Sequence, residues 1–463
     1  MRPVPPQVRA TSRVTLFGRS GLRLGSDGES LMRSVLLSII VWSIGSGVIA
    51  QAQEPGRVEI DADVAATAVP QPQTTDVETT SEDDAVLERW LSAFRGRALA
   101  QGVDRAVFDA EMASVTYVPL KPPRLDKPIW EVIDDALTSG RIGAGRWQLQ
   151  RRSRMFGDVE AQYGVDRHLL AAIWGLQSDL GTTRTGPRSV DVLASRAASG
   201  PARAYHEAQL VALLMLHSTG ALAPEDARGS ASGGLGPMNM RPTDLVLWAQ
   251  DVDGDGRVQL AGRSPVDAMG NVAAMLRAQG VRPGVPWGQE VRLPDGFDYD
   301  LAGGRARRAV AEWRDDGVTG AGGADLRSEL GLTRLLLPAG ALGPAFIVSG
   351  TFDALAASEG GIQGALAIGL LADRLAGGAE LVAAWPRDER TLTTTESAEL
   401  QRRLTEAGFD TGGVDGKLGP RSLAAVRAYQ TDAALPADGF PSLALLQRLR
   451  DEAPAEPVEE TSE

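Results

Sequence analysis

The stretch Tyr163–Gly181, YGVDRHLLAAIWGLQSDLG, decides how the rest of the chain is read. Asp166 is placed to cap a helix, because a short acceptor side chain there can take the free N–H groups of the first turn. Leu169, Leu170, Ile173 and Trp174 then recur at helical spacing. Gln177 falls three residues after Trp174 and four after Ile173, on the same apolar face near the helix end. A polar side chain there must point into either a core or a cleft.

Working outward, the 463 residues leave room for two or three domains and a sizeable core. Cysteine is absent, which excludes disulfides, thiolate metal sites, a cysteine nucleophile and a lipidated cysteine. Histidine is limited to His168, His206 and His217. The first two read as helix-surface residues rather than ligands, and no Ser-His-Asp arrangement suggests itself. Arg33 precedes an apolar run from Val35 to Ile49, and Ala50-Gln51-Ala52 fits the small-residue rule for signal cleavage. The run is short for a membrane span, which needs about 20 residues. Export to the periplasm is therefore expected, with a retained N-terminal anchor as the alternative and Met32 as an alternative start. Loss of residues 1–52 takes the formal charge from −13 to −17, an acidic body that argues against nucleic-acid partners.

Residues 53–84 are acidic, Thr/Pro-rich and aperiodic, and read as a disordered linker. From Ala85 the pattern turns helical: Val86, Trp90, Leu91, Phe94 and Leu99 form one stripe, and Val107, Phe108 and Met112 a second. Lys121–Pro128 is a Pro-rich crossing. Ile129–Leu137, Trp147–Val159 and Leu210–Leu216 read as further helices. The expected fold is mainly α with a minor β element.

The central stretch resembles the murein lytic transglycosylases of the membrane-bound B type, whose helix ends in W-G-x-E-[ST]-x-[FY]-G. Trp174, Gly175, Ser178 and Gly181 match, and Gln177 stands where that family has its catalytic glutamate. The resemblance extends over 85–387 and implies a lysozyme-like helical domain. RGSASGGLGPMNMRPTDL, 228–245, is similar to the family's R-G-S-W-A-G-A-M-G-Q-x-Q-F-M-P-S loop; Gly236 and Pro242 agree, while Pro237 and Asn239 replace the two substrate-facing glutamines and Met240 the phenylalanine. Pro286, Trp287, Gly288, Glu290, Val291 and Pro294 match P-W-G-x-E-V-x-L-P, a tight turn feeding a strand. The family's Y-N-x-S-x-x-Y run, which lines its sugar cleft, falls on Ser358, Glu359, Gly361 and Gly364. Scaffold motifs are kept and cleft motifs are changed.

Asp251, Asp253, Asp255 and Gly256 take positions 1, 3, 5 and 6 of an EF-hand-like loop, but position 12, which needs a bidentate Glu, is Gly262. At best this is a weak Ca2+ site; otherwise it is a solvated acidic turn, and no other cofactor is expected. Residues 392–450 resemble the peptidoglycan-binding type 1 domain, a small three-helix bundle, through Leu400, Leu404, Phe409, Asp415-Gly416, Val426, Tyr429 and Gln430. Residues 451–463 read as a disordered acidic tail.

Lytic transglycosylases of this family run on one glutamic acid, which protonates the leaving oxygen and then deprotonates the muramoyl 6-hydroxyl. An amide keeps the shape of that side chain but cannot transfer a proton. The leading expectation is a catalytically impaired or inactive, peptidoglycan-associated member of the family, acting as a glycan-binding scaffold or a regulator of other murein enzymes. One alternative is an active enzyme with a relocated acid, Glu359; Asp179 should point away from Gln177 unless the helix has already ended. Another is a protein-binding scaffold with no glycan affinity. Trp174, Ser178, Gly236, Asn239, Met240, Pro242, Asp415 and Tyr429 are the expected substrate contacts, and peptidoglycan strands the expected partner, with a membrane only if the signal segment is retained.

Overall fold

The computed structural model describes residues 79–119, 127–182, 186–256, 258–260, 265–302 and 307–452; the signal region, most of the linker, Gly262 and the end of the tail lie outside them. The N-terminal half is a run of helices: α1 (Thr79–Ala100), α2 (Arg105–Ala113), α3 (Ile129–Ala136), α4 (Ser139–Arg151), α5 (Ser153–Tyr163), α6 (Arg167–Ser178), α7 (Ser189–Ser199), α8 (Arg203–Ser218), α9 (Pro242–Trp248) and α10 (Val266–Gln279). Helix α1 starts at Thr79 rather than Ala85, with Glu82 in its first turn, where a negative charge favours the helix dipole. The linker expected through residue 84 is thus shorter.

Helix α6 is the axis of this domain. Asp166 caps it as expected, its carboxylate accepting from the N–H groups of His168 and Leu169 at 2.7 and 3.3 Å. Every residue from Leu169 to Gly175 is buried, the mark of a helix covered on all sides rather than a surface helix with one apolar stripe. Helices α4, α5 and α10 pack on it from the N-terminal half.

The second half returns to cover it. A five-stranded antiparallel sheet, ordered β2-β4-β5-β1-β3, is built from β1 (Gly288–Arg292), β2 (Arg308–Ala309), β3 (Thr319–Gly320), β4 (Leu332–Leu336) and β5 (Ala345–Val348). Glu290 pairs with Phe346 and Leu335 with Ile347. Short α11 (Val310–Asp315) crosses the sheet, and its Trp313, 1% exposed, donates to Thr333 Oγ1 at 2.8 Å. From β5 the chain enters α12 (Gly350–Glu359), reverses, and runs back as α13 (Ile362–Leu375) along α6.

Helices α14 (Thr394–Glu406), α15 (Pro420–Asp432) and α16 (Leu443–Glu452) form a separate bundle around Leu400, Leu404, Val426 and Leu446. Helix α16 continues through Glu452, two residues into the expected tail. Gln401 locks the Gly-rich turn of this bundle: its Nε2 donates to Asp415 Oδ1 and its Oε1 accepts from the N–H groups of Asp415 and Gly416. Asp438 ties the bundle to the larger domain by accepting from the Ala341 N–H at 2.6 Å. Among the described residues, no helix is long and apolar enough to cross a membrane.

The closeness of α13 to the sheet depends on Gly369, where an added Cβ would lie 2.5 Å from the Trp287 ring. Gly369→Ala should therefore destabilise the domain by about 1–3 kcal/mol through overpacking, read as a lower urea midpoint with unchanged m-value.

Candidate functional site

Gln177 sits one residue before the end of α6, half-buried, on the wall of a cavity of about 610 Å3 shared with Trp174, Pro237 and Asn239. Glu359 is the last residue of α12. Gly360, at φ 74°, supplies the left-handed turn that ends the helix and lets α13 start at Ile362. Because α13 packs along α6, this turn comes to rest against the end of α6. There Gln177 Nε2 donates to Glu359 Oε2 at 2.7 Å. Gly364, in the first turn of α13, makes the room: a Cβ at that position would lie 2.8 Å from Glu359 Cβ.

The Glu359 carboxyl borders two further cavities, one of about 260 Å3 that also includes Asn239 and one of about 650 Å3 that reaches the C-terminal bundle. Asn239 lines the first and second cavities, and Glu359 the second and third. Between them, the amide and the carboxyl line all three. Burial pushes the Glu359 carboxyl up to about 7, with the Arg241 guanidinium and the Gln177 hydrogen bond opposing that shift. At neutral pH this group exists in both protonation states, which is what proton transfer needs. Gln177 does not titrate. The helix ends at Ser178, so Asp179 is its C-cap in a left-handed conformation, and its carboxylate accepts from Arg141 Nε at 3.2 Å.

A larger cleft of about 1600 Å3 lies between the helices and the sheet, at the opposite end of α6, beside Asp166 and His168. Its Asp373 is pushed up to about 6 by burial, against the hydrogen bond from Trp287 Nε1 at 3.1 Å. That bond fastens α13 to the turn before β1.

Residues 87–373 match the transglycosylase SLT domain, and residues 393–449 match a peptidoglycan binding domain. The chain belongs to the transglycosylase SLT family. The transglycosylase fold is shared with the crystal structure of SltB3 from Pseudomonas aeruginosa in complex with NAG-anhNAM-pentapeptide: 39% identity, TM-score 0.73, over 79% of this chain and 99% of that one. The same protein in complex with NAG-NAM-pentapeptide superposes with a TM-score of 0.72. Escherichia coli lytic transglycosylase Slt35 in complex with bulgecin A, at 18% identity and TM-score 0.50, shares the fold alone. In sequence, 31% identity over 141 residues links the chain to membrane-bound lytic murein transglycosylase B of Escherichia coli K12, covering 29% of this chain and 38% of that relative.

Within the transglycosylase domain the expected contacts divide. Trp174 lines the Gln177 cavity with its indole buried, and its Nε1 has no hydrogen-bond partner among the described residues. Asn239 lines two cavities, its Oδ1 accepting from Ser230 Oγ at 2.6 Å and Ser232 Oγ at 3.3 Å. Gly236 turns the loop with φ 65°, and Pro242 is the buried first residue of α9.

Four other expected contacts also serve the fold. Ser178 lines the Gln177 cavity, and its buried hydroxyl donates to Trp174 O and accepts from the Gly181 N–H, so it closes the helix end. Met240 packs into the main core and also lines the cavity of about 260 Å3 beside Glu359. In the bundle, Tyr429 is a core residue whose hydroxyl donates to Glu452, and Asp415 accepts from Gln401 and the Lys417 N–H to shape its turn. His206 is buried beside Tyr205 rather than on the helix surface, while His168 is half-buried against its cap Asp166.

Asp251, Asp253 and Asp255 bring carboxylate oxygens within 4.8 Å of one another. Asp251 already accepts from the N–H groups of Gly254 and Gly256, and Asp255 from Gln259 Nε2. These bonds fit a self-contained acidic turn better than a set of oxygens kept free for a cation. Sequence reasoning passed over Arg241, whose Nε donates to Asp244 Oδ2 at 2.6 Å and whose charge bears on Glu359. An arginine where the family loop carries methionine was the available signal.

The Glu359 shift carries a sign. Its folded value of about 7 lies above the ordinary 4.5, so the folded chain holds the proton more tightly and loses stability as pH rises from 4.5 through 7. Glu359→Gln should match the parent below pH 4.5 and exceed it above pH 7 by on the order of 3 kcal/mol, measured by urea denaturation across that range.

Proposed function

We propose that this protein binds peptidoglycan glycan strands outside the cytoplasm and cleaves them slowly as a lytic transglycosylase, with Glu359 as its proton-transferring group. The observation that carries this reading is the 2.7 Å bond from Gln177 to Glu359, two side chains that between them line three cavities. The family's glutamate position is an amide here, and its neighbouring asparagine position is an acid. In this chain the two side chains are joined by a hydrogen bond.

In the reaction that the family resemblance implies, Glu359 gives its proton to the glycosidic oxygen as the bond from that oxygen to the muramoyl C1 breaks. The carboxylate left behind takes the proton of the 6-hydroxyl while that oxygen bonds to C1. The products are a free 4-hydroxyl and a 1,6-anhydro ring, with no water consumed and the acid restored. Gln177 holds the carboxyl in place through its amide N–H. A reduced rate follows from the altered contacts: Pro237 has no donor to offer, and Met240 stands where the family loop has an aromatic ring.

The match to SltB3 and the C-terminal peptidoglycan binding domain support glycan strands as the ligand, and the apolar run at 35–49 supports export. The changed loop favours a second reading, a glycan-binding scaffold that does not cut.

Digestion of purified sacculi separates the two. We expect 1,6-anhydro-muropeptides from the parent chain, at a rate that falls as pH rises past about 7 and the acid form disappears. Glu359→Gln should lower the rate by about 10²–10⁴-fold. No anhydro product from the parent would leave the scaffold reading standing. Gln177→Glu should not reach the rate of an active relative, because two carboxyls at hydrogen-bond distance share one proton. The full chain should co-sediment with sacculi, and removal of residues 392–450 should reduce the pelleted fraction.

A further inference from the structure

Helix α4 carries a charge pattern that the glycan reading does not use. From Ser139 to Arg154 the chain holds five arginines and no acid, in a protein whose formal charge is −13. Arg141 pairs with Asp179 and Arg152 donates to Gln148, so these two turn back onto the domain. Arg146, Arg151 and Arg154 are exposed. Arg146 donates through Nε to Arg374 O at 3.2 Å with its charge still at the surface. The Arg154 side chain, 95% exposed, faces Asp158 at 3.7 Å.

Trp147 stands among these charges. Ile142 and Gly145 are the buried residues of α4, and a Cβ added at Gly145 would lie 2.5 Å from Leu375 Cδ2 on α13, so that side is packed. By helical spacing Trp147 and Arg151 fall on the far side with Gly140 and Ala144, all four exposed. Trp147 is 55% exposed, and among the described residues it is the only exposed tryptophan. The Arg151 guanidinium lies 5.2 Å from its ring centroid. An amphipathic ring beside guanidinium groups favours the boundary between water and a bilayer, where the ring enters at headgroup level and the cations meet lipid phosphates. That attraction acts over a Debye length, about 8–10 Å, so the local face decides rather than the acidic charge of the whole chain.

We infer that this outer face of α4 docks on a bilayer surface carrying anionic phospholipid, with Trp147 at headgroup depth and Arg146, Arg151 and Arg154 on the phosphates. Gln148 and Arg152, on the neighbouring face of the helix, line the Gln177 cavity, so docking holds that cavity beside the bilayer. The inference stands apart from the glycan reading, and from whether the apolar run at 35–49 is kept.

The test uses the chain from Gln53 onward, which keeps every described residue and lacks the apolar run that would itself enter lipid. It is floated with vesicles of phosphatidylcholine alone, or of phosphatidylcholine and phosphatidylglycerol in equal parts. Binding to the mixed vesicles should be tighter by about 10-fold or more at low salt, and the advantage should shrink as salt is added. Arg151→Gln should weaken that binding about fivefold, and Trp147→Ala by about as much, with the melting transition unchanged. Brominated lipid should quench the tryptophan fluorescence of the parent and do so much less in Trp147→Phe. No preference for the mixed vesicles, or a preference that both substitutions leave intact, overturns the inference. So does weaker pelleting with sacculi and no change on vesicles, which would make this face a glycan surface.

Discussion

The packing of α13 along α6 is the constraint from which the site follows. One helix ends at Ser178 and the other begins at Ile362, so their contact brings chain positions 182 residues apart within a single hydrogen bond. Gly369 under the Trp287 ring and Gly364 beside Glu359 set how near that approach can be. With a larger side chain at 364, the carboxyl could not occupy its present place. The site is a consequence of helix packing and of two missing side chains as much as of the polar groups themselves.

That dependence explains how much could be read in advance. The capped α6, apolar from Leu169 to Leu176, was legible because Asp166 and the leucine spacing act locally. The break between α4 and α5 and the early start of α1 were not, because a helix end is set by fine differences among neighbouring residues. The resemblance placed Glu359 at a cleft position, but whether it reached Gln177 depended on the turn at Gly360 and the space at Gly364. The motif positions of Ser178, Met240 and Tyr429 gave no sign that these side chains would also close a helix end or pack into a core. His206 misled in the same way: a histidine in a mixed helix reads as exposed, and burial became visible only once α7 and the loop before α9 had packed around α8.

The changes in the cleft form a connected set. Gln177, Glu359, Arg241 and Gly364 all lie at or beside the pair, and each alters what the others can do. An acid at 359 needs a small residue at 364. An amide at 177 can hold that acid without sharing its proton. A guanidinium at 241 limits how far burial can raise it. Independent decay of an unused cleft would not be expected to produce partners that fit one another.

Asp438 has a bearing on how the two domains share a strand. Its carboxylate accepts from Ala341 in the large domain through Oδ2, and from Gln430 Nε2 and the Phe440 N–H in the bundle through Oδ1. One residue therefore clasps both bodies, and the bundle is held at a set distance from the groove instead of trailing on a leash. For two modules gripping one polymer, a rigid spacing raises the effective local concentration only for strands whose repeat matches that span. The clasp thus sets the spacing between the bundle and the large domain.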